Sequence, residues 1–289
     1  MLPIAGILIV IGMVFGGYVM AGGKIGIILH ALPDEFMVIG GAAAGAFMIA
    51  NSSHISKESL KGVKKVLSGP KWKREDYLMA LSLLYRMLKL HKQKGNIGIE
   101  QHIEKPHESE IFKAYPRFVH DHFALSLICD TMRMMTLNMD DPIQVEDAIE
   151  KQLKKHHQEA MEPALSLQTM ADGLPALGIV AAVMGVIKTM SSIDQPPPIL
   201  GRMIGSALVG TFLGVFLSYG VVGPVAARLR QIIDEEFLFY AMIRDAICTH
   251  LRRNAPQISI EVARGNVPSR LQPSFVEFEA VIDTLPKDS

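Results

Sequence analysis

The sequence predicts an all-α integral membrane protein: four transmembrane helices in two hairpins, with a large helical cytoplasmic domain between spans two and three. The 289-residue chain is 49% hydrophobic. Four apolar stretches approach the roughly 20 residues that cross a bilayer. Outside them, apolar residues recur at helical spacing. Because 20% of the residues are still charged, a substantial soluble part must accompany the spans.

The four predicted spans cover residues 2–21, 34–51, 172–191 and 201–224. A connection containing Gly22, Gly23 and Pro33 joins the first two, and the stretch Asp194 to Pro198 joins the last two. Short connections predict two helical hairpins. No basic region precedes the first apolar run and a second span follows it, so we expect a retained transmembrane helix and not a cleaved signal peptide.

Positive charges predict the orientation. Lysines and arginines gather after spans two and four, whereas Lys24, Lys188 and Arg202 are the only ones near the two connections. The positive-inside rule therefore places both termini and the central insertion in the cytoplasm. The predicted domains are a transmembrane hairpin, a cytoplasmic helical domain, a second hairpin, and a cytoplasmic C-terminal helix and tail: residues 1–51, 52–171, 172–224 and 225–289.

Helical periodicity continues through the soluble parts. Residues 75–94 form one predicted helix, which Gly95 ends. Further helices are predicted at 119–137 and 143–170, separated by Asp140, Asp141 and Pro142, and at 225–253 as a continuation of span four. The two cysteines, Cys129 and Cys248, lie far apart without metal-binding spacing. We expect both to be reduced, buried and cytoplasmic.

No enzymatic motif is present in the sequence. It contains no phosphate loop, nucleophile elbow or HExxH sequence, so we expect no enzymatic activity, no cofactor and no metal. The adjacent His156 and His157 would point in different directions on a helix, which disfavours a shared metal. Balanced charges without a basic, aromatic-rich block also predict no nucleic-acid binding.

Small residues line one face of span three and one face of span four. A lipid-facing helix gains nothing from glycine, whereas a helix pressed against another backbone needs small side chains. Two interpretations are open: ordinary helix packing, with hydroxyls bonded to the preceding turn, or one wall of an ion path. The stripes are Pro175, Gly178, Ala182, Gly185 and Thr189 in span three, and Ala207, Thr211, Gly214 and Ser218 in span four.

The predicted spans contain no acid or base near their middle. Asp172, Lys188 and Arg202 stand at span ends. An ionisable residue at a span centre costs roughly 2.5 to 3.5 kcal/mol on insertion scales and normally marks an ion pathway. We therefore expect that the chain does not conduct ions alone, or that a partner supplies the carboxylate.

Two prolines suggest a hinge. Pro175 lies at the cytoplasmic entry of span three and Pro224 at the cytoplasmic exit of span four, which predicts a common membrane level. A proline leaves the carbonyl one turn earlier without its usual donor and weakens the helix there. Simple helix termination is the alternative interpretation.

Several of these segments together resemble the MotA family of flagellar motor stator subunits. The resemblance extends over nearly the whole chain and includes its cytoplasmic parts. The matching segments are Asp172 to Gly185, Val209 to Gly214, Tyr219 to Pro224, Ile103 to Phe112, Tyr115-Pro116 and Pro273 to Phe275.

The resemblance implies a machine in the bacterial inner membrane. Five such subunits would surround the single transmembrane helices of two MotB-like partners, whose aspartate carries the ion and whose periplasmic domain binds peptidoglycan. Torque would pass to the rotor switch protein FliG through Lys92 and Glu100, which match the family's charged positions. Sodium-driven relatives place a threonine where this chain has Ala182, so we expect transport of H⁺.

Two other functions are compatible with parts of the sequence. A TolQ or ExbB-type subunit, which energises an outer-membrane transport or integrity system, shares the small-residue helices. Four spans instead of three, and the long cytoplasmic insertion, argue against it. The second of these functions is that of a structural membrane scaffold that conducts no ions.

Overall fold

The structure is a computed structural model that describes residues 2–136 and 141–285. Regular structure in these ranges is helical throughout, without a strand. The chain forms two compact units, residues 1–69 with 160–232 and residues 70–159 with 233–289. The predicted domain boundaries after residues 51, 171 and 224 follow hydropathy, whereas the compact units follow packing. The predicted helix end at Leu137 and the predicted turn residue Asp140 lie outside the described residues.

The first compact unit is the membrane unit. Four of its helices are long and apolar enough to cross a membrane, as predicted. Two predicted elements, 143–170 and 172–191, form one continuous helix. The elements of the unit are α1 (Leu2–Met20), α2 (Ile25–Ala50), α3 (Ser53–Ser68), α8 (Pro142–Met190) from residue 160, α9 (Pro197–Leu217), a π-helical turn (Ser218–Val222) and α10 (Gly223–Leu251) as far as residue 232.

Helix α2 begins nine residues earlier than predicted, at Ile25 instead of residue 34. The reversal is confined to the few residues around Gly22, whose φ of +82° suits glycine. Pro33 was predicted to lie in the connection, but it lies inside the helix. A proline within a transmembrane helix costs one backbone hydrogen bond, which local adjustments can offset. Asp34 and Glu35 are consequently part of the span.

Helices α2 and α9 pack closely against each other in the membrane unit. Ile39 and Ala43 of α2 lie in one buried cluster with Leu213 of α9. Helix α1 differs, because none of its residues is buried. A helix that is apolar all round is stable only when something apolar covers it, so α1 is available to lipid and to other chains.

The second compact unit is the soluble unit. Its elements are α4 (Arg74–Glu104), α5 (Glu110–Lys113), α6 (Pro116–Val119), α7 (His122–Thr136), the parts of α8 before residue 160 and of α10 after residue 232, α11 (Pro256–Gly265) and α12 (Phe275–Thr284).

Aromatic stacking forms much of the soluble core. The Trp72 indole stacks on Phe239 with 4.1 Å between ring centroids. The fully buried Asp76 is paired with Arg117 at 2.5 Å, which offsets part of the cost of burying a carboxylate. Cys129 and Cys248 are buried free thiols, as predicted. Burial raises the pKa of each thiol to about 12, so both are unreactive at neutral pH.

Candidate functional site

The two small-residue stripes face each other within the chain. A Cβ atom added to Gly178 of α8 would lie 2.8 Å from the carbonyl oxygen of Gly210 and 3.0 Å from the Cα of Gly214. A Cβ added to Gly214 would lie 2.6 Å from the carbonyl oxygen of Leu174. These are backbone-to-backbone contacts, which only glycine permits.

The contact continues toward the α8 C-terminus. A Cβ on Gly185 would lie 2.6 Å from the Cβ of Ala207. A Cβ on Gly210 would lie 3.1 Å from the Cβ of Ala181 and 3.2 Å from the backbone nitrogen of Ala182. The stripes are therefore a helix-packing surface at these positions. No room is left there for a third helix, so a partner helix would have to lie beside this contact.

The hydroxyl groups of the stripes have different environments. Thr189 is buried, and its hydroxyl donates a hydrogen bond to the carbonyl oxygen of Gly185 at 2.9 Å. This is the bond to the preceding turn that ordinary packing predicts. Ser218 is buried at the start of the π-helical turn. Thr211 and Ala182 are half-buried, as are Pro175 and Gly185, so these four positions remain the accessible part of the stripes.

The π-helical turn before Pro224 has a clear cause. Proline has no N–H, and its ring clashes with the carbonyl one turn back, at Gly220. The chain widens there, and the backbone N–H of Gly223 donates to the carbonyl oxygen of Ser218, five residues earlier.

The two prolines lie at neighbouring positions. Pro175, inside α8, leaves the carbonyl of Ala171 without its usual donor. A Cβ on Gly223, next to Pro224, would lie 4.0 Å from the Cβ of Ala171. This proximity agrees with the common level predicted for Pro175 and Pro224, and their role as a hinge stays a prediction.

Glu35 is a site residue that the sequence did not reveal. Its Oε2 atom is buried without a hydrogen-bond partner among the described residues. A Cβ on Gly210 would lie 2.6 Å from that oxygen. The prediction that no acid falls near the middle of a span is thus wrong for α2, since Glu35 is the eleventh residue of a 26-residue helix. Pro33 suggested a connection at this point, and the apolar run from Ile25 to Leu29 before it was the available sign that the helix begins earlier.

Lys92 and Glu100 flank a break in α4. Gly95 has φ +66° and ψ −160°, so the first helical segment ends there as predicted, and a second one continues to Glu104. Leu90 and Ile99 are buried and anchor the two segments in the soluble core. Both charged side chains are exposed. Neither makes an ion pair within the described ranges, so each is free to meet an external charge.

Two protein-family models match most of the sequence of this chain. Residues 4–95 match the family model for the N-terminal part of motility protein A. Residues 119–242, which contain α8, α9 and both prolines, match the model for the MotA/TolQ/ExbB proton channel family.

Full-length relatives are also similar. Motility protein A of Salmonella typhimurium is 39% identical over 279 residues, covering 96% of this chain and 94% of the relative. Chemotaxis protein LafT of Vibrio parahaemolyticus is 34% identical over 274 residues, covering 95% of each chain.

Two solved structures share the fold. The C. jejuni MotAB structure has a TM-score of 0.73 at 18% identity, covering 92% of this chain and 95% of the matched chain. The flagellar MotAB stator complex from Bacillus subtilis has a TM-score of 0.72 at 18% identity, covering 96% and 100%. From the family matches and the identity along its length, the chain belongs to the motility protein A family, within the wider MotA/TolQ/ExbB proton channel family.

Proposed function

We propose that this chain is the ring-forming subunit of a flagellar stator. Together with a single-span partner it conducts protons across the inner membrane and converts their flow into torque on the rotor switch ring. The observation that carries the proposal is the proton-channel family match over residues 119–242, because this segment holds the glycine contact and both prolines. The 39% identity to a protein named Motility protein A supports the flagellar role.

Exposed apolar surface supports an assembly with other membrane chains. Ile179, Val183 and Ile187 of α8 are 56%, 52% and 64% exposed and recur every fourth residue, so they share one face. Helix α1 is unburied as well. The related solved structures are complexes of MotA with MotB. In our proposal five copies of this chain surround two MotB-like helices, whose aspartate supplies the ion-binding group and whose periplasmic domain holds peptidoglycan.

The proposed cycle couples charge to packing. Protonation of the partner's aspartate removes its charge and changes the subunit face it prefers, and proton release to the cytoplasm restores the charge. One charge crossing about 100 mV provides roughly 2.3 kcal/mol, enough to bias two packing arrangements. The adjacent proline sites at Pro175 and Pro224 are suited to absorb the movement, because Pro224 already follows a widened turn.

The proposed ion is H⁺. Sodium that has lost its water needs several hard oxygen ligands. The accessible part of the stripes offers the hydroxyl of Thr211 but only a methyl group at Ala182. A single protein hydroxyl is a poor substitute for a hydration shell, whereas a proton needs only one titratable group on the partner.

The membrane orientation is also part of the proposal. The chain is a multi-pass inner-membrane protein, and the positive-inside rule puts both termini and the soluble unit in the cytoplasm. There the soluble unit can meet FliG. A TolQ or ExbB-type role is less well supported, because the full-length relatives of this chain are motility and chemotaxis proteins.

The proposal predicts rescue of motility. A flagellated strain lacking motility protein A should swim when this chain and its MotB-like partner are expressed together. A protonophore should stop swimming and sodium removal should not. The matched control replaces the partner's intramembrane aspartate by asparagine, which should abolish swimming at equal expression. Swimming that needs sodium and survives the protonophore would contradict the ion assignment. Rescue of an outer-membrane transport defect, without swimming, would favour the TolQ or ExbB alternative.

A further inference from the structure

The Glu35 side chain is half-buried, and one of its carboxyl oxygens, Oε2, is enclosed where α2 meets α9 and α8. Its Oε2 atom approaches Gly210 of α9, and the same position adjoins Ala181 and Ala182 of α8. Glu35 follows the first residue of α2 by ten positions, or about 15 Å of helix.

Both neighbouring helices are uncharged at this level. Ala182 lies inside the stretch between Asp172 and Lys188, and Gly210 lies inside the stretch between Arg202 and Arg228, neither of which contains a charged residue. The carboxyl group is therefore held at a depth where the other two spans carry no charged residue.

In the part of the chain that the structure describes, no positive charge pairs with Glu35. Among the described residues its Oε2 atom has no hydrogen-bond partner. Asp34 directly precedes Glu35 on the same helix, and it is exposed. The other titratable groups of the packed elements make no ion pair or hydrogen bond with Glu35: Tyr18 of α1, Lys24 and His30 at the start of α2, Asp172 and Lys188 of α8, Arg202 of α9, and the charged residues of α3, which follow the far end of α2.

A carboxylate in such a place is costly, and protonation removes most of the cost. A carboxylate oxygen that is enclosed without a partner loses its hydration and gains nothing in return, which favours the protonated form of the group. A protonated group has one O–H donor and can lie against backbone. The approach to Gly210 also needs a position without a side chain, because an added Cβ would lie 2.6 Å from the oxygen.

We propose that Glu35 is a proton-binding site inside the membrane unit, and that its neutral carboxyl group permits the close contact of α2 with α9 at Gly210. When the carboxyl group loses its proton, water or a cation stabilises the resulting carboxylate. The Glu35 side chain would then move away from Gly210. Proton occupancy of this site and packing of α2 against α9 are therefore linked. The site adds a second acid to the one expected on the partner. It does not depend on the stator function, because the carboxyl group can be observed directly.

Infrared spectroscopy tests the protonation state. The full chain is purified with its partner, in lipid nanodiscs, and spectra are recorded at pH 7 in normal and heavy water. We expect a carbonyl stretch of a protonated carboxyl group that shifts in heavy water and is lost in Glu35→Gln. Asp34→Asn is the matched control, since it removes the neighbouring exposed carboxylate, and it should keep the band. A protonated-carboxyl band that is the same in wild type and in Glu35→Gln would mean that Glu35 is ionised and would overturn the proposal.

A cross-linking experiment tests whether proton binding at Glu35 is linked to the packing of α2 against α9. It does not rely on motility. One cysteine is introduced in α2 and one in α9 next to this contact, in a chain without native cysteines, and their cross-linking rate is followed as the pH is raised. The rate should change on alkalinisation in the otherwise unaltered chain and in Asp34→Asn, and stay constant in Glu35→Gln. If Glu35→Gln fails to fold, Glu35→Asp replaces it, and its protonated band should move instead of disappearing. Identical pH profiles in all folded variants would exclude the linkage.

Discussion

At the scale of single residues, glycines determine how close α8 and α9 come. The sequence shows that Gly178 and Gly214 belong to small-residue stripes, because helical spacing is visible in any chain. It does not show what each stripe faces, since a stripe packed inside the chain and a stripe facing a partner helix need the same small residues. The distances of 2.6 to 3.0 Å from added Cβ atoms to backbone resolve this for the glycines.

The glycine contact predicts a specific loss of stability. In Gly178→Ala the new methyl group would meet backbone atoms at 2.8 and 3.0 Å, and backbone cannot rotate away. Overpacking of this kind costs about 1–3 kcal/mol. The control is Gly173→Ala on the same helix, where nothing lies within 4 Å and alanine should be neutral or stabilising. Thermal melting of the purified complex measures both, and equal melting temperatures would show that α8 and α9 separate without cost.

Another residue-scale feature is a histidine pair in the soluble unit. Nδ1 of His91 lies 2.9 Å from Nε2 of His250, and Nε2 of His91 lies 3.0 Å from Oδ1 of Asn96. The amide oxygen accepts, so His91 donates there and receives the hydrogen bond of His250. Burial, followed by the nearby His91 and Lys92, lowers the pKa of His250 from 6.5 to about 4.

The lowered pKa of His250 predicts acid sensitivity. Between pH 6.5 and about 4 the unfolded chain binds a proton that the folded chain does not, so stability falls as the pH falls through this window. The loss should be on the order of 1 to 2 kcal/mol. It should shrink in His250→Gln and persist in the control His107→Gln, which alters an exposed histidine. Urea unfolding midpoints measured across the window test this, and parallel curves for His250→Gln and wild type would refute it.

At the scale of elements, hydropathy locates the spans and proline misleads about one boundary. All four spans were predictable because uncharged stretches of this length have few other uses. The start of α2 was not, since Pro33 suggests a connection but can be accommodated inside a membrane helix. The π-helical turn at Ser218–Val222 was likewise invisible, because a proline predicts a disturbance one turn earlier without fixing its form.

The π-helical turn predicts the effect of restoring an N–H at position 224. Pro224→Ala removes the ring clash with Gly220, so α9 and α10 should join as a regular α-helix. If the hinge proposal holds, swimming speed should fall several-fold at unchanged expression. Pro163→Ala, which alters another proline inside α8, is the control and should preserve swimming better. Full motility of Pro224→Ala, with the turn regularised in its structure, would exclude a hinge there.

At the scale of the whole molecule, function depends on surfaces that face other proteins. The resemblance of the sequence to its family identified Lys92 and Glu100, which periodicity alone would class as solvated charges. The structure adds that both are exposed beside the break at Gly95. It also shows that α1 and one face of α8 are exposed and apolar. Which chain covers each surface could not be predicted, because apolar contacts are not directional.

Torque transfer predicts charge-dependent phenotypes at Lys92 and Glu100. Lys92→Glu and Glu100→Lys should each reduce swimming torque several-fold, since each would bring like charges together at the rotor surface. Lysine forms no planar bidentate contact, so the interaction should depend on charge and weaken with salt.

The control is Lys154→Glu, which reverses an exposed lysine without an ion pair among the described residues and should leave torque unchanged. Bead assays on tethered motors measure torque directly. Normal torque in Lys92→Glu, in Glu100→Lys and in the double variant would remove the proposed role. A compensating reversal on the rotor protein that restores torque to a single variant would identify the facing charge.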